Sequence, residues 1–234
     1  MFRNSLLQFT KHFWQFFNYL CLKLGILFCF CIITPCVVAQ NPLTPIGNWR
    51  EHLSYQQAIQ VVKGNKLYCA SQNGIFSVDA TDGITRYSKI TGLNDIGVKS
   101  IDYDGTTQQL VIGYNNSNVD VLKNGVVKNI GDIKRSGIVG NKTINQIYCA
   151  NGFAYLSSGL GVIVADLNKY EIKDTWFIGN NGAQININAF TSDGSFFYAA
   201  TQEGLKKADA KSTAIANYSS WQLMNGNSGL SMGA

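Results

Sequence analysis

KLYCASQNGIFSVDA, Lys66 to Ala80, reads as two short strands, LYCAS and IFSVD, reversing through Asn73-Gly74. Three later stretches align with it: QLVIGYNNSNVDVLK from Gln109, AYLSSGLGVIVADLN from Ala154 and FYAATQEGLKKADAK from Phe197. Tyr68, Val111, Tyr155 and Tyr198 fall 43, 44 and 43 residues apart, and Gly74, Gly161 and Gly204 each follow a tyrosine by six. Self-similarity at a fixed period of this length marks one supersecondary unit repeated along the chain.

Each unit divides into four strands. In the first these are Ala58–Val62, Leu67–Ser71, Ile75–Asp79 and Thr85–Ser88. Gly64-Asn65, Asp104-Gly105, Asn151-Gly152 and Asp193-Gly194 separate the first two strands of successive units, and such dipeptides accept the positive φ of tight hairpins. No segment carries a helical apolar period, and no stretch has the length of a helical crossover. Four short antiparallel strands per repeat is the arithmetic of an all-β fold, a β-propeller of four-stranded blades. The blades are expected at 58–89, 98–132, 145–179 and 187–223, with small residues such as Ala70, Gly113, Ser157 and Ala199 where sheets converge. Asn48-Trp49-Arg50 resembles the outer strands at Trp176 and Trp221, so 47–53 is expected to be the outer strand that closes a ring. Residues 224–234 read as the start of a further blade. The ring is therefore expected to be incomplete, and the chain to be the N-terminal part of a larger protein or a truncated gene model.

The first 39 residues stand apart. They hold Arg3, Lys11 and Lys23, no acidic residue, and an apolar run ending in Val37-Val38-Ala39. This is the pattern of a secretory signal peptide cut before Gln40, with 40–46 as a short linker. An uncleaved anchor and a lipid on Cys36 are the alternatives. Without the leader the chain has sixteen basic and fourteen acidic residues, which excludes an electrostatic footprint for nucleic acid. Four of the six cysteines also lie in the leader; Cys69 and Cys149 remain, too few for a disulfide framework. The mature chain is expected to be exported, to the periplasm or outer surface, with no transmembrane span.

Candidate chemistry is sparse. A nucleophilic cysteine needs a base, and His52 is the one histidine outside the leader. Cys69 aligns with Leu156 and Ala199, and Cys149 with Val62, so both read as small buried hydrophobes. Asp102-Tyr103-Asp104-Gly105 has the opening of a calcium loop without its later glutamate, and Asp104-Gly105 is also a hairpin turn. Asp79, Asp166 and Asp209 sit at equivalent strand ends and are expected to bond turn amides. Glu51, Glu171 and Glu203 are too scattered for a glycosidase pair. His52 alone makes no zinc site. Asn141-Lys142-Thr143 and Asn115-Asn116-Ser117 match the N-glycosylation pattern, relevant only in a host that performs it. Lys134-Arg135 with Lys128 and Lys142 could meet an anionic glycan or phosphate, or form a solvated loop. No catalytic, cofactor or metal residue is assigned.

From Gly47 to Leu223 the wording of the repeats resembles the N-terminal β-propeller of PorZ-type proteins of the Bacteroidota type IX secretion system. The most specific pieces are Asp132-Ile133-Lys134-Arg135, Asn141-Lys142-Thr143-Ile144-Asn145 and Glu171-Ile172-Lys173-Asp174-Thr175. More loosely, Gly92-Leu93-Asn94-Asp95 with Leu110-Val111-Ile112-Gly113 resembles the sensor propellers of hybrid two-component regulators. The first resemblance implies a non-catalytic, cell-surface scaffold that partners a sortase subunit in a complex fixing cargo to anionic lipopolysaccharide. The second implies an extracellular glycan sensor. A propeller lyase or hydrolase is the third class, disfavoured by one histidine and three glutamates.

Overall fold

The computed structural model describes residues 53–224, together with Trp14 and Tyr19, each helical and exposed. Apart from Trp14 and Tyr19, the expected signal peptide, the linker and Cys36 fall outside the described residues, as do Trp49, Glu51, His52 and, but for Leu53 and Met224, the expected closing strand and further blade. No helix among the described residues is long and apolar enough to cross a membrane.

Sixteen strands form four separate four-stranded sheets, each a simple antiparallel meander. The first sheet is β1 (Ala58–Lys63), β2 (Leu67–Ser71), β3 (Gly74–Val78) and β4 (Ile84–Tyr87). The second is β5 (Val98–Asp104), β6 (Gln109–Tyr114), β7 (Val119–Lys123) and β8 (Val126–Ile130). The third is β9 (Ile144–Ala150), β10 (Phe153–Ser158), β11 (Val162–Asp166) and β12 (Glu171–Trp176). The fourth is β13 (Ile187–Ser192), β14 (Phe196–Thr201), β15 (Gly204–Asp209) and the short β16 (Gln222–Leu223). A single helical turn, Asp132–Arg135, and two 3-10 turns are the helical elements of 53–224. This is an all-β, incomplete propeller.

A four-stranded sheet has two apolar faces, so neighbouring sheets must cover each other. Three buried clusters do this. Tyr68, Ala70 and Ile75 of the first sheet meet Ile101, Leu110 and Ile112 of the second. Val119, Val121 and Ile130 meet Ile147, Ala154 and Leu156. Tyr155, Val162 and Trp176 meet Phe190, Phe197 and Ala199. The middle strands β6 and β10 are almost wholly buried, as strands covered on both faces must be.

Every sheet carries a bulge in its first strand, between Ala58 and Gln60, Val98 and Ser100, Ile144 and Gln146, and Ile187 and Ala189. A bulge re-aims the residue that follows it. In three sheets that residue is polar: Gln60, Ser100 and Gln146.

Two turn expectations are corrected. Positive φ occurs at Asn151, Gly152 and Gly194, but not at Gly64-Asn65 or Asp104-Gly105. The β5–β6 turn instead takes its left-handed residue at Gln108, φ 55°. Gly64 is required by contact rather than by φ, because a Cβ there would lie 2.5 Å from the Tyr103 ring. The register also corrects one alignment. Val62 pairs with Tyr68 while Tyr148 pairs with Tyr155, so Tyr148, not Cys149, occupies the Val62 slot, and Cys149 matches Lys63. The first hairpin is one residue shorter than the third, and a constant repeat offset cannot absorb that.

Candidate interaction surface

In an antiparallel meander, the connections between sheets and the turns between second and third strands emerge at one end. The other end holds the remaining hairpin turns. The two ends differ in chemistry.

The hairpin end is made of short polar turns. Asp79 Oδ1 accepts from the Thr81 amide at 3.0 Å, the Thr81 hydroxyl at 2.8 Å and the Gly83 amide at 2.8 Å. Asp166 accepts from the amides of Asn168 and Lys169, and Asp209 from that of Lys211. The turn role expected of these aspartates is thus what their geometry shows. Hydrogen bonds from Thr81 and Gly83 hold the Asp79 carboxyl below its ordinary range.

The connection end is built from longer loops that are bonded to one another. Asp120, fully buried on β7, accepts from the Asn94 amide (2.8 Å), the Asn94 side chain (2.9 Å), the Tyr114 hydroxyl (2.7 Å) and the Asn129 side chain (2.8 Å). Burial and then the Asp120 carboxylate push the Tyr114 hydroxyl far above its ordinary value. Asp95 accepts from Lys134 Nζ and Asn116, each at 2.6 Å, joining the β4–β5 loop to the helical turn. Its partial burial alone would raise the carboxyl, but the bonds from Lys134, Asn116 and the Ile96 amide hold it below the usual range.

Beyond that turn the loop 137–143 is pinned on both sides. Lys142 Nζ donates to the Ser136 carbonyl at 2.6 Å, and Gln184 Nε2 donates to the Val139 carbonyl at 3.2 Å. Gly140, at φ 136°, lies where a Cβ would meet Gln184 and Leu160 at 2.5 and 2.6 Å. The effect is an ordered loop that holds Val139 out, 87% exposed, with Ile138 beside it. Ile90 and Ile96 are exposed on the neighbouring β4–β5 loop. Bulky apolar side chains on bonded loops are the material of a protein-contact surface.

The basic cluster takes a different role from the anion site considered above. Lys134 is paired with Asp95, Arg135 with Asp132 at 3.1 Å, and Lys142 is bonded to backbone carbonyls. Lys128 lies exposed on β8. Lys134 and Lys142 thus tie loop segments together, while the Arg135 pair stays within its own turn.

The other candidates are also built into the frame. Cys69 is buried and Cys149 half-buried, both as free thiols in non-adjacent sheets. Burial, with Asp102 and Asp104 nearby, pushes the Cys149 thiol well above its ordinary value, the reverse of what a nucleophile needs. Asp102 accepts the Cys149 amide at 2.6 Å. Asp104 accepts from the Thr107 amide and hydroxyl, each at 2.7 Å, and from the Gly152 amide at 3.2 Å. These carboxylates accept from backbone amides and the Thr107 hydroxyl. Glu171 lies beside Lys169, and Glu203 pairs with the buried Lys206. Asn141 accepts from the Thr143 amide, and Asn115, the acceptor of the second glycosylation pattern, is exposed.

Sequence reading missed the bridging residues of the inner strands. Gln60 Oε1 accepts the Ile101 amide (3.0 Å), Ser100 Oγ the Ile147 amide (3.2 Å) and Gln146 Oε1 the Phe190 amide (2.6 Å). All three sit at one repeat position, so a polar residue recurring there in an apolar strand was the available signal.

Bulged meanders in series, with side chains bonded to the next sheet, define a β-propeller. The family model for the TSS9, PorZ, N-terminal beta-propeller domain matches residues 67–222, and the chain belongs to that family. Among solved structures it is similar to PorZ of Porphyromonas gingivalis, described as an essential bacterial surface component of the type IX secretion system. Identity there is 22%, over 76% of this chain and 24% of that one, with a TM-score of 0.65. The extracellular domain of a hybrid two-component system from B. thetaiotaomicron matches at 14% identity over 67% of this chain and 21% of that one, TM-score 0.52. Kuenenia stuttgartiensis hydrazine synthase matches at 14% over 70% and 48%, TM-score 0.52. At these identities the structural likenesses establish the fold. The chain spans about a quarter of the solved PorZ chain. No curated protein matches the sequence.

Proposed function

We propose that this propeller is a non-catalytic, exported scaffold of type IX secretion whose connection end docks a protein partner, the sortase subunit of the attachment complex. The family match over residues 67–222 carries the reading. The pinned loop that displays Val139 supplies the surface. Anionic lipopolysaccharide belongs to the same proposal, but it has less support, because Lys134, Arg135 and Lys142 already have partners within the fold.

Deleting the gene tests the pathway: cargo proteins should remain unprocessed and fail to reach the surface, and normal cargo maturation would end the proposal. Val139→Asp tests the surface, with an expected loss of sortase-subunit co-purification of about tenfold or more and an unchanged melting temperature. The likeness to the two-component extracellular domain favours a second reading, a glycan-sensing propeller. That reading requires saturable calorimetric binding of a defined oligosaccharide by the wild-type chain.

A further inference from the structure

The bulge in each inner strand leaves one residue out of register with the second strand. These are Ile59 between Ala58 and Gln60, Lys99 between Val98 and Ser100, Asn145 between Ile144 and Gln146, and Asn188 between Ile187 and Ala189. All four lie near the start of their strands, hence at the connection end, and β1, β5, β9 and β13 stand side by side in that order. The four residues therefore form an arc along the inner rim. Ile59 is 46% exposed, Lys99 and Asn188 are exposed and Asn145 is half-buried.

One carbonyl fixes the polarity of this arc. Asn145 Nδ2 donates to the Ile187 carbonyl at 2.7 Å and to Asn186 Oδ1 at 2.9 Å, and Asn186 Nδ2 donates to Asn188 Oδ1 at 2.7 Å. A carbonyl only accepts, so Asn145 must turn its NH2 group to Ile187, Asn186 its oxygen to Asn145, and Asn188 its oxygen to Asn186. Left over from the relay are Asn145 Oδ1 as an acceptor and Asn188 Nδ2 as a donor. On the neighbouring strand Lys99 has no ion-pair partner among the described residues. In order around the arc, the rim offers an aliphatic side chain, a cation, an acceptor and a donor.

We propose that this rim binds an extended, acidic peptide segment of a partner protein. In a hydrogen-bonded antiparallel pair one residue exchanges both its N–H and its C=O with the residue opposite, and the Asn145 oxygen and Asn188 NH2 group offer the matching acceptor and donor. Lys99 takes a neighbouring carboxylate of the segment, and Ile59 an apolar side chain beyond it. Because Asn186 already holds both amides, binding does not have to order them, which lowers the entropy cost of association. A sugar acid would satisfy the cation and the amides but gain nothing from Ile59, so the aliphatic end of the arc favours a peptide. This occupant rests on the reading of the connection end as a protein-docking face and names what the partner brings to its inner edge.

Fluorescence anisotropy of the full chain with a panel of labelled, end-blocked pentapeptides is the test. Each peptide has glutamate at its centre, flanked by every pairing of valine, leucine, serine and glycine. The best binder should weaken about fivefold when its glutamate is replaced by glutamine, and that difference should vanish in about 0.5 M salt. Lys99→Glu should weaken it about tenfold or more. Asn188→Asp, which keeps the bond from Asn186 but removes the donor, should weaken it about fivefold. Both residues are exposed, so neither variant should shift the melting temperature. Equal affinity for glutamate and glutamine peptides, indifference to Lys99→Glu, or no peptide bound at about 1 mM overturns the proposal. Binding of oligogalacturonate where no peptide binds assigns the rim to a glycan and overturns it as well. The docking face fails separately: if peptides bind through Lys99 while Val139→Asp leaves sortase-subunit co-purification intact, the rim stands and the Val139 surface falls. If Val139→Asp abolishes co-purification and no peptide binds, the reverse holds.

Discussion

The seam between the second and third sheets and the seam between the third and fourth join the same kind of element by different means. At the first, Ser100, Asp102 and Asp104 of β5 each accept an amide of the third sheet, at Ile147, Cys149 and Gly152. At the second, six rings crowd together: Tyr148, Tyr155, Trp176, Phe190, Phe197 and Trp221, with neighbouring centroids 5.1 to 6.3 Å apart. Polar bridges are present there too: Gln146 accepts the Phe190 amide, and Asn145 donates to the Asn186 side chain and the Ile187 carbonyl. An inner strand has an unpaired edge, and its amides need partners. Polar bridges satisfy that edge and set register, whereas aromatic packing provides most of the burial.

Truncation should separate the two strategies most sharply at Phe190. It is almost fully buried at the centre of the rings, so Phe190→Ala is expected to destabilise by about 3–5 kcal/mol in urea unfolding. A loss under 1 kcal/mol would mean that the aromatic seam is not the stronger one. At the polar seam, Asp102→Ala leaves the Cys149 amide without an acceptor, for an expected loss of about 1–3 kcal/mol.

Asp102→Asn sharpens the comparison through pH. Burial holds the Asp102 carboxyl above its ordinary range, so the folded state keeps a proton that the unfolded chain has released. Its contribution to stability therefore falls as pH rises from the usual aspartate value through the raised folded one. Asparagine can still accept the amide and carries no charge. The variant should thus gain stability relative to wild type at pH 7 but not below the unfolded aspartate value, and a gain that ignores pH would refute the buried-charge account. Asp95 and Glu203 run the other way: their carboxyls are held low, so their contribution is present above the unfolded value and lost as pH falls through the folded one.

The smallest effect belongs to the first seam. Gln60→Ala removes the acceptor for the Ser100 hydroxyl and the Ile101 amide and should cost about 1 kcal/mol, read as a shift in the urea midpoint. An unchanged midpoint would make that bridge ornamental.

Much of the fold was legible in local wording. Tyr68, Tyr155 and Tyr198 with their trailing glycines mark second strands and the reversals after them, because turn chemistry acts over a few residues. Asp79, Asp166 and Asp209 read correctly as turn acceptors for the same reason. The connection end was less legible. Lys134 and Arg135 read as free cations until Asp95, far along the chain, and Asp132 were found beside them. Val139 drew no notice as one valine in a loop; only its exposure on a pinned backbone distinguishes it. Cys149 was set one slot out because hairpin length varies between repeats.

By itself, the sequence determined the strand count, the repeat and the family, since these rest on patterns local to each unit. Tertiary structure decided which polar groups are free. Gln60, Ser100, Asp102 and Lys134 all find their partners in a different repeat, brought within bonding distance by sheet stacking. It likewise decided that Val61 is exposed where Ile101, Ile147 and Phe190, at the same repeat position, are buried, because burial depends on a neighbour that no strand carries within its own sequence.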